Sequence, residues 1–231
     1  MNALLLSAGY GSRLRPITLN TPKCLVEING KPLLSIWLNF LENHIDIVII
    51  NTHYLPEKIE NFIRNSNWQN NVNLVFEEKL LGTAGTILKN RQFFDKSFLV
   101  AHADNLTKFN LEEFKKKHEL RSPGIEITMM TFETDDPKSC GIVEVNEFGI
   151  VTAFYEKINT FNGNTANAAV YIMEPTIINF IESLNKEFID ISVDIIPRFI
   201  GKIQVFKNNI YHRDIGTPLS LKQAFEEFRF E

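Results

Sequence analysis

The chain opens on a short apolar run, ALLLSA (3–8), and similar runs recur at DIVIIN (46–51), NLVFE (73–77) and SFLVAHAD (97–104). Near-continuous apolar stretches of this length fit parallel strands covered on both faces. Between them, PLLSIWLNFLENH (32–44), LPEKIENFIRNS (55–66) and TAGTILKNRQFF (83–94) carry apolar residues at helical spacing. Strand alternating with helix predicts a doubly wound α/β fold with a mostly parallel sheet and helices on both faces.

The pattern changes after NLEEFKKKHEL (110–120), a helix that Asn110 can cap and whose lysines read as a solvated face. Strands follow at IEITMMTF (125–132) and IVEVNEFGIVTAFYE (142–156), the second broken by a turn at Asn146-Glu147-Phe148-Gly149. ANAAVYIM (166–173) reads as a strand and PTIINFIESL (175–184) as a helix. IQVFKNNIYHRD (203–214) reads as a hairpin around Asn208-Asn209, and a last helix runs from about Pro218 to Phe230. A single domain over residues 1–231 is the expectation, in two halves, an alternating first half (1–121) and a β-rich second half (122–231) that ends in the closing helix. A length of 231 residues suits one sizeable core.

Charge narrows the function. A net charge of −4 argues against a nucleic-acid partner or an anionic membrane surface. No apolar run has the length of a membrane span, and Ala3 to Leu6 lacks the features of a signal peptide, so a cytoplasmic location is expected. Cys24 and Cys140 have no CxxC spacing and read as free thiols. Asn105-Leu106-Thr107 matches a glycosylation acceptor pattern, which has no meaning in a cytosolic chain.

Against that acidic balance, SAGYGSRLRPITLNTPK (7–23) holds two glycines, three cations and no acid. It begins where the first strand ends, the side on which open α/β sheets bind ligands. Gly9 and Gly11 let backbone N–H groups approach an anion, while Arg13 and Lys23 supply charge-assisted bonds to phosphate oxygens. A plain glycine turn with surface arginines is the bland alternative for GxG alone. A dinucleotide fingerprint fails because position 14 is Leu, and no GxxxxGK[ST] occurs anywhere in the chain.

The whole stretch resembles the opening of the sugar-1-phosphate nucleotidyltransferases, a strand followed by GxG[ST]RLxPxT and then PK. Gly9, Gly11, Ser12, Arg13, Leu14, Pro16, Thr18, Pro22 and Lys23 all stand in register. Within that family the motifs look most similar to mannose-1-phosphate and manno-heptose-1-phosphate guanylyltransferases. The resemblance covers nearly all of the chain and implies a Rossmann-like fold of the nucleotide-diphospho-sugar transferase type. LLGTAGTI (80–87) resembles the family's LGTAG segment over the nucleobase. Asp104 falls where the first metal-binding aspartate lies. FYEKI (154–158) resembles FxEKP, whose lysine contacts the sugar phosphate, and NAAVYIM (167–173) resembles NAGxY. RDIGTPLSL (213–221) resembles the segment that brings the second metal aspartate, here Asp214. Three positions depart from the pattern: Ala169 replaces the glycine of NAG, Ile158 the proline of EKP, and His102-Ala103-Asp104 the usual NGD.

The resemblance implies nucleotide contacts at Leu6, Ala8, Gly9, Gly11, Ser12, Arg13, Glu77, Gly82 and Thr83. It implies sugar-phosphate contacts at Gly141, Glu156, Lys157 and Asn167, and magnesium ligation at Asp104 and Asp214. The residue types agree with those roles. Two carboxylates together with substrate phosphates are what a magnesium ion accepts, although a lone Asp is more often a cap or a turn former. Lys157 offers a point charge to a monophosphate, or else pairs with Glu156 on a surface strand. Glu77 as a carboxylate only accepts hydrogen bonds, which favours guanine with its adjacent imino and amino donors; the alternative is an exposed acid at a strand end.

The reaction implied is attack of a sugar 1-phosphate oxygen on the α-phosphorus of a nucleoside triphosphate, GTP being favoured, with loss of pyrophosphate. Arg13 and Lys23 are the candidate catalytic residues, Arg13 at the β- and γ-phosphates and Lys23 near the α-phosphate, both as loop cations without a role in the core. Uridylyl or cytidylyl transfer is an alternative within the family. A regulatory subunit on this fold would be expected to lose one of these groups, and a glycosyltransferase would be expected to show DxD where this chain has Asp104-Asn105-Leu106. The sugar stays open among mannose, a manno-heptose and an N-acetylated sugar, as does a homo-oligomer. No left-handed β-helix domain of the kind some relatives append is expected after Glu231.

Overall fold

The structure is a computed structural model that describes residues 1–156 and 163–230. In chain order, its first elements are β1 (Ala3–Leu6), β2 (Glu27–Ile28), β3 (Lys31–Pro32), α1 (Leu33–Leu41), β4 (Val48–Thr52), α2 (Pro56–Arg64) and β5 (Val72–Phe76). Next come α3 (Thr83–Lys89), β6 (Phe98–His102), β7 (Asn105–Lys108), α4 (Leu111–Glu119) and β8 (Ile127–Glu133). The chain continues through β9 (Gly141–Val145), β10 (Val151–Glu156), β11 (Thr165–Met173) and α5 (Thr176–Ser183). It ends with β12 (Ile203–Lys207), β13 (Tyr211–Asp214) and α6 (Pro218–Glu227).

These elements form two compact units. The first comprises Met1–Leu80, Ala101–Thr107 and Tyr211–Glu231, and the second Leu81–Val100 and Lys108–Ile210. In the first, β1, β4 and β5 lie side by side and parallel, with Ala3 opposite Val48 and Val48 opposite Val72. The end of β6 belongs to this unit too, and Ala103 N–H donates to the Leu6 carbonyl. β1 and β4 are buried throughout, Leu4, Leu5, Ile49 and Ile50 having no exposed surface, whereas β5, expected to be covered on both faces, ends the strand order and is only partly covered, with Phe76 60% exposed. Helix α1 buries Leu33, Leu34, Trp37, Leu38 and Leu41 along one stripe, and Trp37 Nε1 donates to the Asn105 carbonyl at 2.8 Å. A second apolar cluster joins Leu14 to Ile28, Leu33, Leu106 and Ile215, and to Leu221, Ala224 and Phe228 on the closing segment. Thr217 and Ser220 form a reciprocal capping box at the start of α6.

In the second unit β11 pairs antiparallel with β8, β10 pairs antiparallel with β9, and β12 runs parallel to β8. The turn expected at Asn146–Gly149 is present: Asn146 Oδ1 accepts from Phe148 and Ile150 N–H, and Gly149 has φ +74°. Asn110 caps α4, its side chain accepting from Glu113 N–H at 3.1 Å. The expected hairpin at 203–214 is not formed. β12 takes its ladder from β8 and β13 pairs with β7, so the two halves of that segment have different partners. Asn208 makes the break, since its N–H donates to the Thr131 carbonyl and its side chain accepts from Ile210 N–H. No helix among the described residues is long and apolar enough to cross a membrane.

Candidate active site

Beyond β1 the chain passes through three single helical turns, Ser12–Leu14, Ile17–Leu19 and Lys23–Leu25. Gly11 has φ +60°, and a Cβ there would stand 3.0 Å from Thr18 Cγ2 and 3.2 Å from Lys23 Cβ, so both conformation and space require glycine. Gly9 meets nothing within 4 Å of such a Cβ; it leaves room beside the strand end instead. Thr18 Oγ1 donates to the Gly11 carbonyl at 2.7 Å. Leu14 is anchored in the apolar cluster of the closing segment, a burial worth roughly 2 kcal/mol. Leu6 and Ala8 are buried, whereas Ser12 and Arg13 face solvent.

Lys23 ties the site together. Its Nζ donates to Asp104 Oδ2 at 2.7 Å and to Asp214 Oδ1 at 3.1 Å, and its side chain is only 10% exposed. It is therefore not a plain loop cation, because it is held between the two aspartates expected to bind metal. Burial, the largest influence on its pKa, acts to lower it, but the two carboxylates outweigh burial and the net shift is upward. Burial likewise acts to raise Asp104, yet the Lys23 ammonium, then His102, hold its carboxyl below the usual range. Lys23 and Asp104 thus stay charged because each is the other's counter-ion.

Asp214 ends β13 and lies between two cations. Its Oδ1 accepts from Lys23, and its Oδ2 is 3.8 Å from Arg13 Nη2. A Cβ at Gly216 would come within 2.7 Å of Asp214 Oδ2 and 3.0 Å of Arg13 Nη2, so this glycine permits the approach. Gly216 is a site residue that motif reading passed over, although DIGTP contains it. Arg13 is 67% exposed at the side chain, unlike Lys23, and can reach outward. Cys24, next to Lys23, is a free thiol that burial, followed by the charge of Asp104, pushes up to about 12, leaving it inert.

Glu77 belongs to the same unit, and the alternative of an exposed strand-end acid is excluded, because it is 4% exposed. Its Oε1 accepts from Asn51 Nδ2 at 3.0 Å, and its carbonyl lies 2.8 Å from His53 Nδ1. His53 Nε2 in turn meets the Tyr10 hydroxyl at 2.8 Å.

The remaining candidates lie in the second unit. Gly82 has φ +79°, and a Cβ there would collide with the Ile189 carbonyl oxygen. Thr83 is tied internally, donating to Asp190 Oδ2 and accepting from Ile191 N–H. Gly141 lies opposite Glu156 in the β9–β10 ladder, and a Cβ there would collide with the Phe154 ring and approach Glu156 Oε2 at 2.9 Å. Asn167 donates to the Tyr171 hydroxyl at 2.7 Å and accepts from Ala169 N–H at 2.9 Å. Ala169 sits at φ +52° where β11 shifts register, which accounts for the glycine in the motif it departs from. Lys157 and Ile158 lie outside the described residues.

A parallel α/β core that carries a glycine loop, two cations and two remote carboxylates at its strand ends is that of a phosphate-handling protein. The chain belongs to the nucleotidyl transferase family, whose sequence profile matches residues 2–229. It is 32% identical, over 94% of its length, to a probable mannose-1-phosphate guanylyltransferase 2 from Oryza sativa subsp. japonica. The chain spans 62% of that relative's length and 59% of a Drosophila pseudoobscura one. Among solved structures, HddC from Yersinia pseudotuberculosis complexed with GMP-PN has a TM-score of 0.81 at 25% identity, covering 99% of both chains. A putative glucose-1-phosphate thymidylyltransferase from Bacillus anthracis has a TM-score of 0.88 at 19% identity, covering 100% of this chain and 97% of that one, and shares the fold.

Proposed function

We propose that the protein transfers a nucleotidyl group from GTP to a sugar 1-phosphate of the mannose or manno-heptose type, releasing pyrophosphate. The observation that carries this reading is the Lys23–Asp104–Asp214–Arg13 cluster beside the glycine loop. Four charged groups from three remote segments converge there, and two of them are the cations that two polyanionic reactants need. The guanylyltransferase name of the rice relative and the GMP-PN complex of the Yersinia protein support the nucleotide.

In the reaction, an anionic oxygen of the sugar 1-phosphate forms a bond to the α-phosphorus as the bond to pyrophosphate breaks on the opposite side. The nucleophile is already ionised near neutral pH, so positioning and charge neutralisation do most of the work. Lys23, held by two carboxylates, presents its ammonium near the α-phosphate. Arg13, largely exposed, takes the β- and γ-phosphates of the leaving group, with bidentate geometry available to its guanidinium. The Gly9–Gly11 segment lets main-chain N–H groups approach the same phosphates. Lys157 has the chemistry to hold the sugar phosphate.

Asp104 and Asp214 would hold a magnesium ion. Among the described residues no group of three or more His, Cys, Asp or Glu could cage a metal. Two carboxylates that share Lys23 as a neighbour nevertheless fit magnesium, which keeps water and accepts one or two carboxylates plus substrate phosphates. When bound, the ion supplies charge that offsets the repulsion between the anionic reactants. A cytoplasmic setting and self-association belong to the same proposal.

The test is pyrophosphate release with each of GTP, UTP, CTP, ATP and dTTP against mannose 1-phosphate, a manno-heptose 1-phosphate and N-acetylglucosamine 1-phosphate. The highest kcat/KM is expected with GTP and a manno-configured sugar. Absence of release with every one of these nucleotides would leave a regulatory role on this fold.

A further inference from the structure

Asn51 is an anomaly within its strand. β4 is buried from end to end, and Asn51 is 3% exposed, opposite Leu6 on one side and Val75 on the other. An amide in such a place costs free energy unless its hydrogen bonds are made. Its Oδ1 accepts from Ser7 N–H at 2.8 Å, and its Nδ2 donates to Glu77 Oε1 at 3.0 Å. The Ser7 hydroxyl also donates to the Asn51 carbonyl.

These partners fix which way the amide faces. A main-chain N–H can only donate, so the amide oxygen must face Ser7 and the NH2 must face Glu77. Glu77 Oε1 is thereby kept an acceptor. The main chain of Glu77 is fixed as well, its N–H donating to the Thr52 carbonyl at 2.9 Å. Its carbonyl only accepts, so His53 Nδ1 carries the proton on that side, and in the neutral imidazole Nε2 accepts from the Tyr10 hydroxyl. Three consecutive residues of one segment, Asn51, Thr52 and His53, therefore hold Glu77 from three directions.

We infer that Asn51 is a positioning residue for base selection: it holds Glu77 as a hydrogen-bond acceptor and so favours a base edge that presents adjacent donors, as guanine does. The inference rests on the reading of Glu77 as the base contact. Packing alone would place Val or Ile at position 51, as at its neighbours Ile49 and Ile50; the amide serves the hydrogen bonds instead. A site built to accept from a donor discriminates against the analogue that lacks it.

The experiment compares kcat/KM for GTP and ITP, whose base is guanine without the 2-amino group, in wild type, Asn51→Ala and Asn51→Asp. Wild type is expected to prefer GTP by about tenfold, the effect of one hydrogen bond to a charged group. In Asn51→Ala the preference falls to within about twofold, mainly through a higher KM for GTP. Asn51→Asp keeps the volume and the acceptor for Ser7 but turns an oxygen toward Glu77; it too is expected to lose the preference, and it carries the test if the alanine variant does not fold. A merely structural role would lower both nucleotides alike and leave the ratio at its wild-type value, and that result overturns the role of Asn51 while leaving Glu77 as the base contact. A wild-type enzyme that treats GTP, ITP and UTP alike overturns the base reading itself, and the inference with it.

Discussion

The two units each contain a cluster of charges. In the first, Lys23 joins Asp104 and Asp214 at the strand ends, with Arg13 lying 67% exposed beside them. In the second, Glu174 receives hydrogen bonds or ion pairs from Ser97, His118 and Arg121, while His118 Nδ1 meets Thr128 Oγ1, which also accepts from Gln204. The second cluster spends its donors and acceptors on packing α4 against β8 and on bracing the end of β11. The first leaves Asp214 half exposed and a guanidinium turned outward. The charges of the Glu174 network are spent inside the protein, whereas those of the proposed site are held in place yet leave Arg13 and Asp214 exposed to a ligand.

That contrast can be broken from both sides. The largest expected effect is on turnover. Arg13→Ala should lower kcat by ~10²-fold or more in a protein that still melts as wild type does, because its side chain is largely solvated. Pyrophosphate release and thermal unfolding of the same preparation check both halves. Near-normal turnover in a folded variant would remove Arg13 from the phosphates.

Next comes stability. Glu174→Gln should cost about 2 kcal/mol by denaturant unfolding, less than the loss of a wholly buried pair, since Glu174 keeps 20% of its side-chain surface. Its kcat should remain within about twofold of wild type. The same cluster gives stability a sign with pH. Burial lowers the pKa of His118, so below about pH 6.5 the unfolded chain takes up a proton that the folded one refuses, and stability falls. Burial acts to raise Glu174, but the Ser97 and His118 hydrogen bonds and the charge of Arg121 outweigh it. Its folded pKa is therefore depressed, and its contribution is present above about pH 4.5 and lost as pH falls through that lowered value. Unfolding free energy measured from pH 7 to pH 4 should decline throughout, and His118→Gln should flatten the upper part of the decline.

The smallest effect concerns Ala169. At φ +52° a Cβ is strained, and Ala169→Gly should raise stability by about 1 kcal/mol, the left-handed penalty less the entropy cost of glycine. A loss of stability on that change would mean that the bulge in β11 is held by something other than its backbone conformation.

How much of this was legible in the sequence depends on how local the cause is. The alternation of strands and helices, the Asn110 cap and the Asn146 turn follow from neighbours in sequence, and they appear where the pattern places them. The hairpin at 203–214 did not form because strand pairing is decided by distant partners, β8 and β7, which no local run reveals. The motifs singled out Arg13, Lys23, Asp104 and Asp214, which the fold brings together, but the place of Lys23 between both aspartates was not legible, since residues 23, 104 and 214 meet only in the folded chain. Asn51 left a faint signal, an amide directly after the apolar run Val48–Ile50, that becomes meaningful only once Glu77 is seen beside it. Gly216 is explained by the atoms that surround it, Asp214 and Arg13, rather than by a turn.

The central claim is that Lys23, Asp104 and Asp214 work as one device, and a double-mutant cycle on pyrophosphate release tests it most directly. Lys23→Met and Asp214→Asn should each reduce kcat with GTP and mannose 1-phosphate by ~10²–10³. The double variant should be little worse than the worse single one, because groups that act together are strongly non-additive. Losses that multiply in the double variant would contradict the account, since they would show the lysine and the aspartate contributing independently.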